Sequence, residues 1–233
     1  MQFIIIIVVD GGYPLIIEMM LSGFLFLFIL VLNVVMGAFG YLMEKDDYNP
    51  DKDLKKINKN PKKFKIGICL ALIEHGCVIA LTILLFIAFS PYGLLFGIVL
   101  FIFRTGEGLI QFYNEPFYWK LINIAKKYSS ASGAEKKSLS DSARSIFKGK
   151  DNRFKYAMIC WSVGTLALSI VLVNLSFVPQ FIGWLGIIAG ILVGIGTAIK
   201  LVNPKIKLAL VGALFAIVFE IIIGGWLIYY SII

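Results

Sequence analysis

The chain has 233 residues, 59% of them hydrophobic, with a mean hydropathy of +0.89 and a formal charge of +8. A soluble domain averages about 45–50% apolar residues, so no single water-soluble core can hide this excess and lipid must solvate part of it. No nucleic-acid-binding motif accompanies the positive charge, which fits the loops of a membrane protein instead.

The apolar runs predict an all-α fold: a polytopic transmembrane helix bundle of about six spans, in a single membrane domain over 1–233. Residues 3–9 are apolar, but the run is short. It lacks a preceding basic residue and a small-residue cleavage site, so it does not read as a signal peptide. Asp10-Gly11-Gly12-Tyr13-Pro14 then breaks it. The first span is 16–42. In the loop that follows, Asn49-Pro50 has the pattern of a helix cap and first turn, predicting a short helix over 51–60 that stops before Pro61. Span two is 66–89, and Ser90-Pro91-Tyr92-Gly93 makes a tight turn into span three, 92–114.

Pro116 ends or kinks span three. Beyond it, Phe117, Leu121, Ile124 and Tyr128 share a face opposite Lys120, Lys126 and Lys127. This stretch either lies in the membrane interface or extends span three, with Tyr118 and Trp119 at headgroup level. The region 120–153 reads as a cytoplasmic loop, and within it 129–150, rich in Ser, Lys and Gly, reads as mobile. Span four is 154–177, followed by a turn at Ser176-Phe177-Val178-Pro179. Span five is 181–199, Asn203-Pro204 turns the chain again, and span six is 208–231. Trp184, Trp226, Tyr229 and Tyr230 fall where aromatic anchors belong.

Charge sets the orientation. Loop one carries a net +3, loop three a net +7 and loop five three lysines, which together hold 21 of the 22 basic residues. Loops two and four hold none. The positive-inside rule therefore puts loops one, three and five in the cytoplasm and both termini outside, in a multi-pass protein of the cell membrane.

Ionisable residues within a span are costly and usually face the bundle interior. Five are placed deep in the membrane: Glu74 and His75 on span two, Arg104 and Glu107 on span three, and Glu220 on span six. Measured from the outer helix ends at 1.5 Å per residue, they lie about 16–22 Å deep, which is one layer within about 5 Å. Arg104 and Glu107, three apart, share a helix face as an ion pair. Glu74 and His75, being adjacent, diverge by about 100° around the axis and do not aim at one ion. No metal site is expected, and no cofactor.

Cys69, Cys77 and Cys160 all sit in apolar stretches and read as small buried residues, not as a disulfide framework. Gly186, Gly190 and Gly194 recur every fourth residue on span five. They form a flat stripe for close helix packing within the chain or, in a sharper reading, for a homodimer.

Three stretches resemble a family. They are Phe103-Arg104-Thr105-Gly106-Glu107-Gly108, the turn Val178-Pro179-Gln180-Phe181-Ile182-Gly183-Trp184-Leu185-Gly186, and the ending from Phe219-Glu220 through Trp226-Leu227. They are similar to segments of a family of uncharacterised prokaryotic six-helix integral membrane proteins, a domain of unknown function. The resemblance implies a six-helix bundle and puts Arg104, Glu107 and Glu220 at recurring positions, but it brings no activity. The long basic third loop and the N-terminus depart from its pattern.

Three functions stay open. The acid excess at one depth favours a small transporter or channel-like protein whose cluster binds a cation or a proton-linked substrate. A membrane scaffold would instead use its basic loops on anionic lipid or a protein partner. An intramembrane enzyme acting on a lipid-like substrate would need a cavity reaching the cluster.

Overall fold

The computed structural model describes residues 15–41, 48–203 and 208–233, and these form helices and turns with no strand. The run 3–9, its break at 10–14, Pro204, Lys205 and Lys207 lie outside the described residues. The helices are α1 (Ile16–Ala38), α2 (Pro50–Lys59), α3 (Pro61–Phe89), α4 (Leu94–Phe112), α5 (Glu115–Ser130), α6 (Gly133–Val173), α7 (Gln180–Val202) and α8 (Leu208–Tyr230).

Helix ends follow local chemistry. Asn49 caps α2 by accepting the Lys52 N–H at 3.0 Å, and Asn60 caps α3 by accepting the Lys63 N–H at 3.1 Å. Each cap precedes a proline whose missing N–H is one of the helix's orphan donors anyway. The α2 helix expected over 51–60 is therefore present. Just past the end of α1, after the C-cap Phe39, Gly40 takes φ 83°, a left-handed conformation open to glycine. The Gly40 and Tyr41 N–H groups donate back to Gly37 and Met36 carbonyls, which is the Schellman pattern.

Six helices, α1, α3, α4, α6, α7 and α8, are long and apolar enough to cross a membrane. They close into a ring: α1 packs on α3, α3 on α4, α4 on α6, α6 on α7, α7 on α8, and α8 returns to α1. Met19, Phe26, Leu81, Leu100, Leu172 and Phe219 are buried inside it. Val34, Leu95 and Ile17 stay well over half exposed on the outside. Such apolar exposure is sustainable only in lipid. The chain is a multi-pass membrane protein.

The glycine stripe on α7 is engaged within the chain. A β-carbon at Gly190 would lie 2.7 Å from Leu166 Cγ, and at Gly186 and Gly194 it would collide with the hydroxyls of Ser169 and Ser162 on α6. The Ser162 hydroxyl donates to the Gly190 carbonyl at 2.7 Å, fastening the same seam.

The largest departure from expectation lies at the basic end. The region 129–150, read as mobile, is helical: α5 finishes at Ser130 and α6 begins at Gly133. α6 has 41 residues, about 60 Å at 1.5 Å per residue, or twice the hydrocarbon thickness. Its first half therefore stands outside the membrane. There it packs with α2 and α5 into a small cap around Leu54, Ile57, Leu121, Tyr128, Ala143 and Phe147. Span four accordingly ends at Val173, before the expected 177.

α5 is a separate helix, set off by the turn at Tyr113 and Asn114. Its buried face is Tyr118, Leu121, Ala125 and Tyr128, rotated from the one expected, and Tyr118 packs in the cap core. The cysteines are free; Cys69 faces outward, while Cys77 and Cys160 are half-buried.

Candidate functional site

Inside the ring, at its basic half, the polar residues meet. On α4, Arg104 and Glu107 are both buried, and Arg104 Nη1 donates to Glu107 Oε2 at 2.6 Å. α6 makes room for this arginine with Gly164, where a β-carbon would lie 2.6 Å from Arg104 Cγ. One turn before, Trp161 presents its ring 5.9 Å from the Arg104 guanidinium and donates its indole N–H to Glu220 Oε1 on α8 at 3.1 Å. Trp161 thus holds a cation by its face and a carboxylate by its edge.

On α3, Glu74 and His75 are 2% and 1% exposed. Contrary to the expected divergence, Glu74 Oε2 curls onto His75 Nδ1 at 2.5 Å. The adjacency rule describes Cα directions, and a glutamate has enough torsions to reach its neighbour. The other imidazole nitrogen, Nε2, lies 3.3 Å from Glu115 Oε1. The Tyr41 hydroxyl donates to that same Glu115 oxygen. Glu107 is within coulombic range of Glu74, His75 and Glu220 as well as Arg104. All five residues named from the sequence therefore converge, as a histidine group and an arginine group side by side.

Glu115, Tyr41, Trp161 and Lys150 are additions the sequence reading missed. Arg104, Glu107, Gln111 and Glu115 recur at helical spacing, so the polar face of α4 runs on past its end; this was the available signal for Glu115. Tyr41 is aimed by the α1 cap, a geometry no spacing rule shows. Lys150 comes from the first half of α6, with its ammonium 3.5 Å and 3.9 Å from the ring centroids of Tyr41 and Tyr118. It lies in coulombic range of Glu115 and Glu74.

Donor counting constrains the protons. A neutral imidazole has one N–H, and an ionised carboxylate only accepts. Both His75 nitrogens face carboxylate oxygens. One N–H cannot satisfy both contacts; making both into hydrogen bonds takes two protons in the Glu74–His75–Glu115 triad, as either an imidazolium or a neutral ring and one carboxylic acid. These states differ only by where a proton sits along two hydrogen bonds. Glu115 Oε2 is buried and has no hydrogen-bond partner, so it is the open acceptor of the chain. Four glutamates face Arg104 and Lys150, which leaves the cluster acid-rich. Among the described residues no three His, Cys, Asp or Glu side chains converge as a metal ligand set.

A closed ring of six spans with an acid–base chain in its interior defines a polytopic integral membrane protein. The chain belongs to the family described as Domain of unknown function (DUF4386), whose model matches residues 21–230. The resemblance to a family of uncharacterised membrane proteins is thereby shown. Neither a curated protein nor a solved structure matches the chain.

Proposed function

We propose that this protein is a small transporter or channel-like protein of the cell membrane, in which the buried chain takes up and releases a proton linked to movement of a cation or other substrate. The observation that carries the reading is His75 held between Glu74 and Glu115 in the ring interior. A purely structural polar network has no need of two interchangeable proton positions. Buried ionisable groups in membranes are expensive and recur on ion and proton pathways. In this reading Glu74, His75 and Glu115 relay the proton, with Tyr41 donating to Glu115. Arg104 fixes Glu107 electrostatically, and Trp161 fixes Glu220 by its N–H.

The cap then belongs in the cytoplasm, with both termini outside, by the charge asymmetry of the loops. Lys150 links it to the chain.

The test is purified protein in liposomes loaded with a pH-sensitive dye, under an imposed Na⁺, K⁺ or proton gradient. Protein-dependent proton flux is expected, falling at least about tenfold in Glu115→Gln, where a gap of 1.4 kcal/mol is tenfold. Gln keeps the shape of the side chain but cannot exchange the proton. Glu107→Gln and Glu220→Gln should also slow the flux. Equal flux from wild type and all three variants, or none above empty vesicles under any gradient, would refute the reading.

A further inference from the structure

On the outer surface between α4 and α6 lies a groove of about 410 Å³, lined by Leu109, Ile110, Tyr113, Arg153 and Tyr156. Its position is defined by chain chemistry. Leu109–Tyr113 are the last residues before the break between α4 and α5. Arg153 stands where the basic half of α6 gives way to its apolar half. The groove therefore straddles the membrane boundary at the basic end, with Tyr113 and Tyr156 both more than half exposed beside it. Aromatic side chains favour that level, and so does the head of a snorkelling arginine.

Arg153 is held for binding. Its Nε donates to the Oδ1 of Asn114, a residue only 2% exposed. Its guanidinium lies 4.9 Å from the ring centroid of Phe117 and 5.6 Å from that of Tyr113. These partners are a neutral amide oxygen and two aromatic rings, so no carboxylate among them matches the charge. With Nε engaged and the stem fixed, the edge formed by Nη1 and Nη2 is preset for a two-pronged contact with an oxyanion. Gly149 keeps that edge clear: a β-carbon there would lie 3.2 Å from Nη1 and 3.4 Å from Nη2.

We propose that this groove is a binding site for an anionic phospholipid, its phosphate on the Nη edge of Arg153 and an acyl chain along Leu109 and Ile110. The pairing of one oriented cation with an apolar wall, at the depth where headgroup meets tail, fits no water-soluble anion as well.

The test titrates purified protein, in neutral detergent, with short-chain phosphatidylglycerol, phosphatidylcholine and chain-free glycerol phosphate, and reads binding by native mass spectrometry. Wild type should bind phosphatidylglycerol preferentially, and glycerol phosphate should not compete. Arg153→Gln should weaken phosphatidylglycerol binding at least about tenfold, the scale of a charge-assisted pair. Gly149→Leu leaves the charge in place but covers its edge, and should weaken binding comparably. The proposal falls if wild type holds phosphatidylcholine as tightly, if glycerol phosphate competes equally, or if both variants bind as wild type does. The wild-type comparison decides even where a variant fails to fold.

Discussion

Arg104 and Glu107 sit where water cannot rescue either charge, so the two substitutions that break their pair should behave unlike surface changes. Arg104→Gln strands a carboxylate inside the ring and should cost about 3–5 kcal/mol, by the usual penalty for half of a buried pair. Replacing both residues with glutamine should cost clearly less than the sum of the single changes, because the second removes the charge that the first left stranded. A thermal-unfolding cycle in detergent reads both. At the end of α1, Gly40→Ala should cost about 1 kcal/mol, since alanine resists the left-handed turn that aims Tyr41 inward. At this scale the sequence was a good guide to which groups lie in the interior, because charge in a span has few places to go. It was a poor guide to which pairs touch. Glu74 meets His75 through side-chain torsions that helix geometry does not fix. Glu115 lies past a break that separated it from the stripe it continues.

Helices were legible wherever composition changed sharply or a cap was written in two residues. Asn49-Pro50 announces a helix start, and Asn49 caps it as expected; Asn60-Pro61, read only as the stop of that helix, repeats the same pattern and caps α3. The first half of α6 was hidden because its charges drew attention from a sparse apolar stripe. Leu139, Ala143, Ile146 and Phe147 do recur at helical spacing and do face the cap. The seam between α6 and α7 has no slack: Gly190→Val should lower stability by about 1–3 kcal/mol through overpacking against Leu166, measured as a lowered Tm.

The cap makes its own pH prediction. Asp51 on α2 accepts a hydrogen bond from Ser140 on α6 at 2.7 Å, and that bond holds its carboxyl below the ordinary aspartate value. A lowered folded-state value means the contact stabilises above the ordinary aspartate range and is lost as the pH falls through the lowered value. Hydrogen exchange of α2 amides should quicken on acidification in wild type. In Ser140→Ala it should be quicker already at neutral pH.

For the whole molecule, composition alone implied lipid, and the alternation of basic loops implied which end faces the cytoplasm. What composition could not show is that the basic end is folded, and that Lys150 reaches from it to the residues at the ring's inner edge. A cysteine placed at Ser129 on the cap should react with a membrane-impermeant maleimide in inverted vesicles and not in intact cells. The opposite pattern would reverse the orientation.

The same architecture makes one proton count decisive. His75 is the chain's only histidine, so nitrogen-15 labelling of histidine gives one ring to observe by magnetic resonance. The ring should report hydrogen on, or shared with, both nitrogens near neutral pH, and its signals should move in Glu74→Gln and in Glu115→Gln. A neutral ring with one bare nitrogen, indifferent to both substitutions, would contradict the two-proton triad and remove the relay built on it.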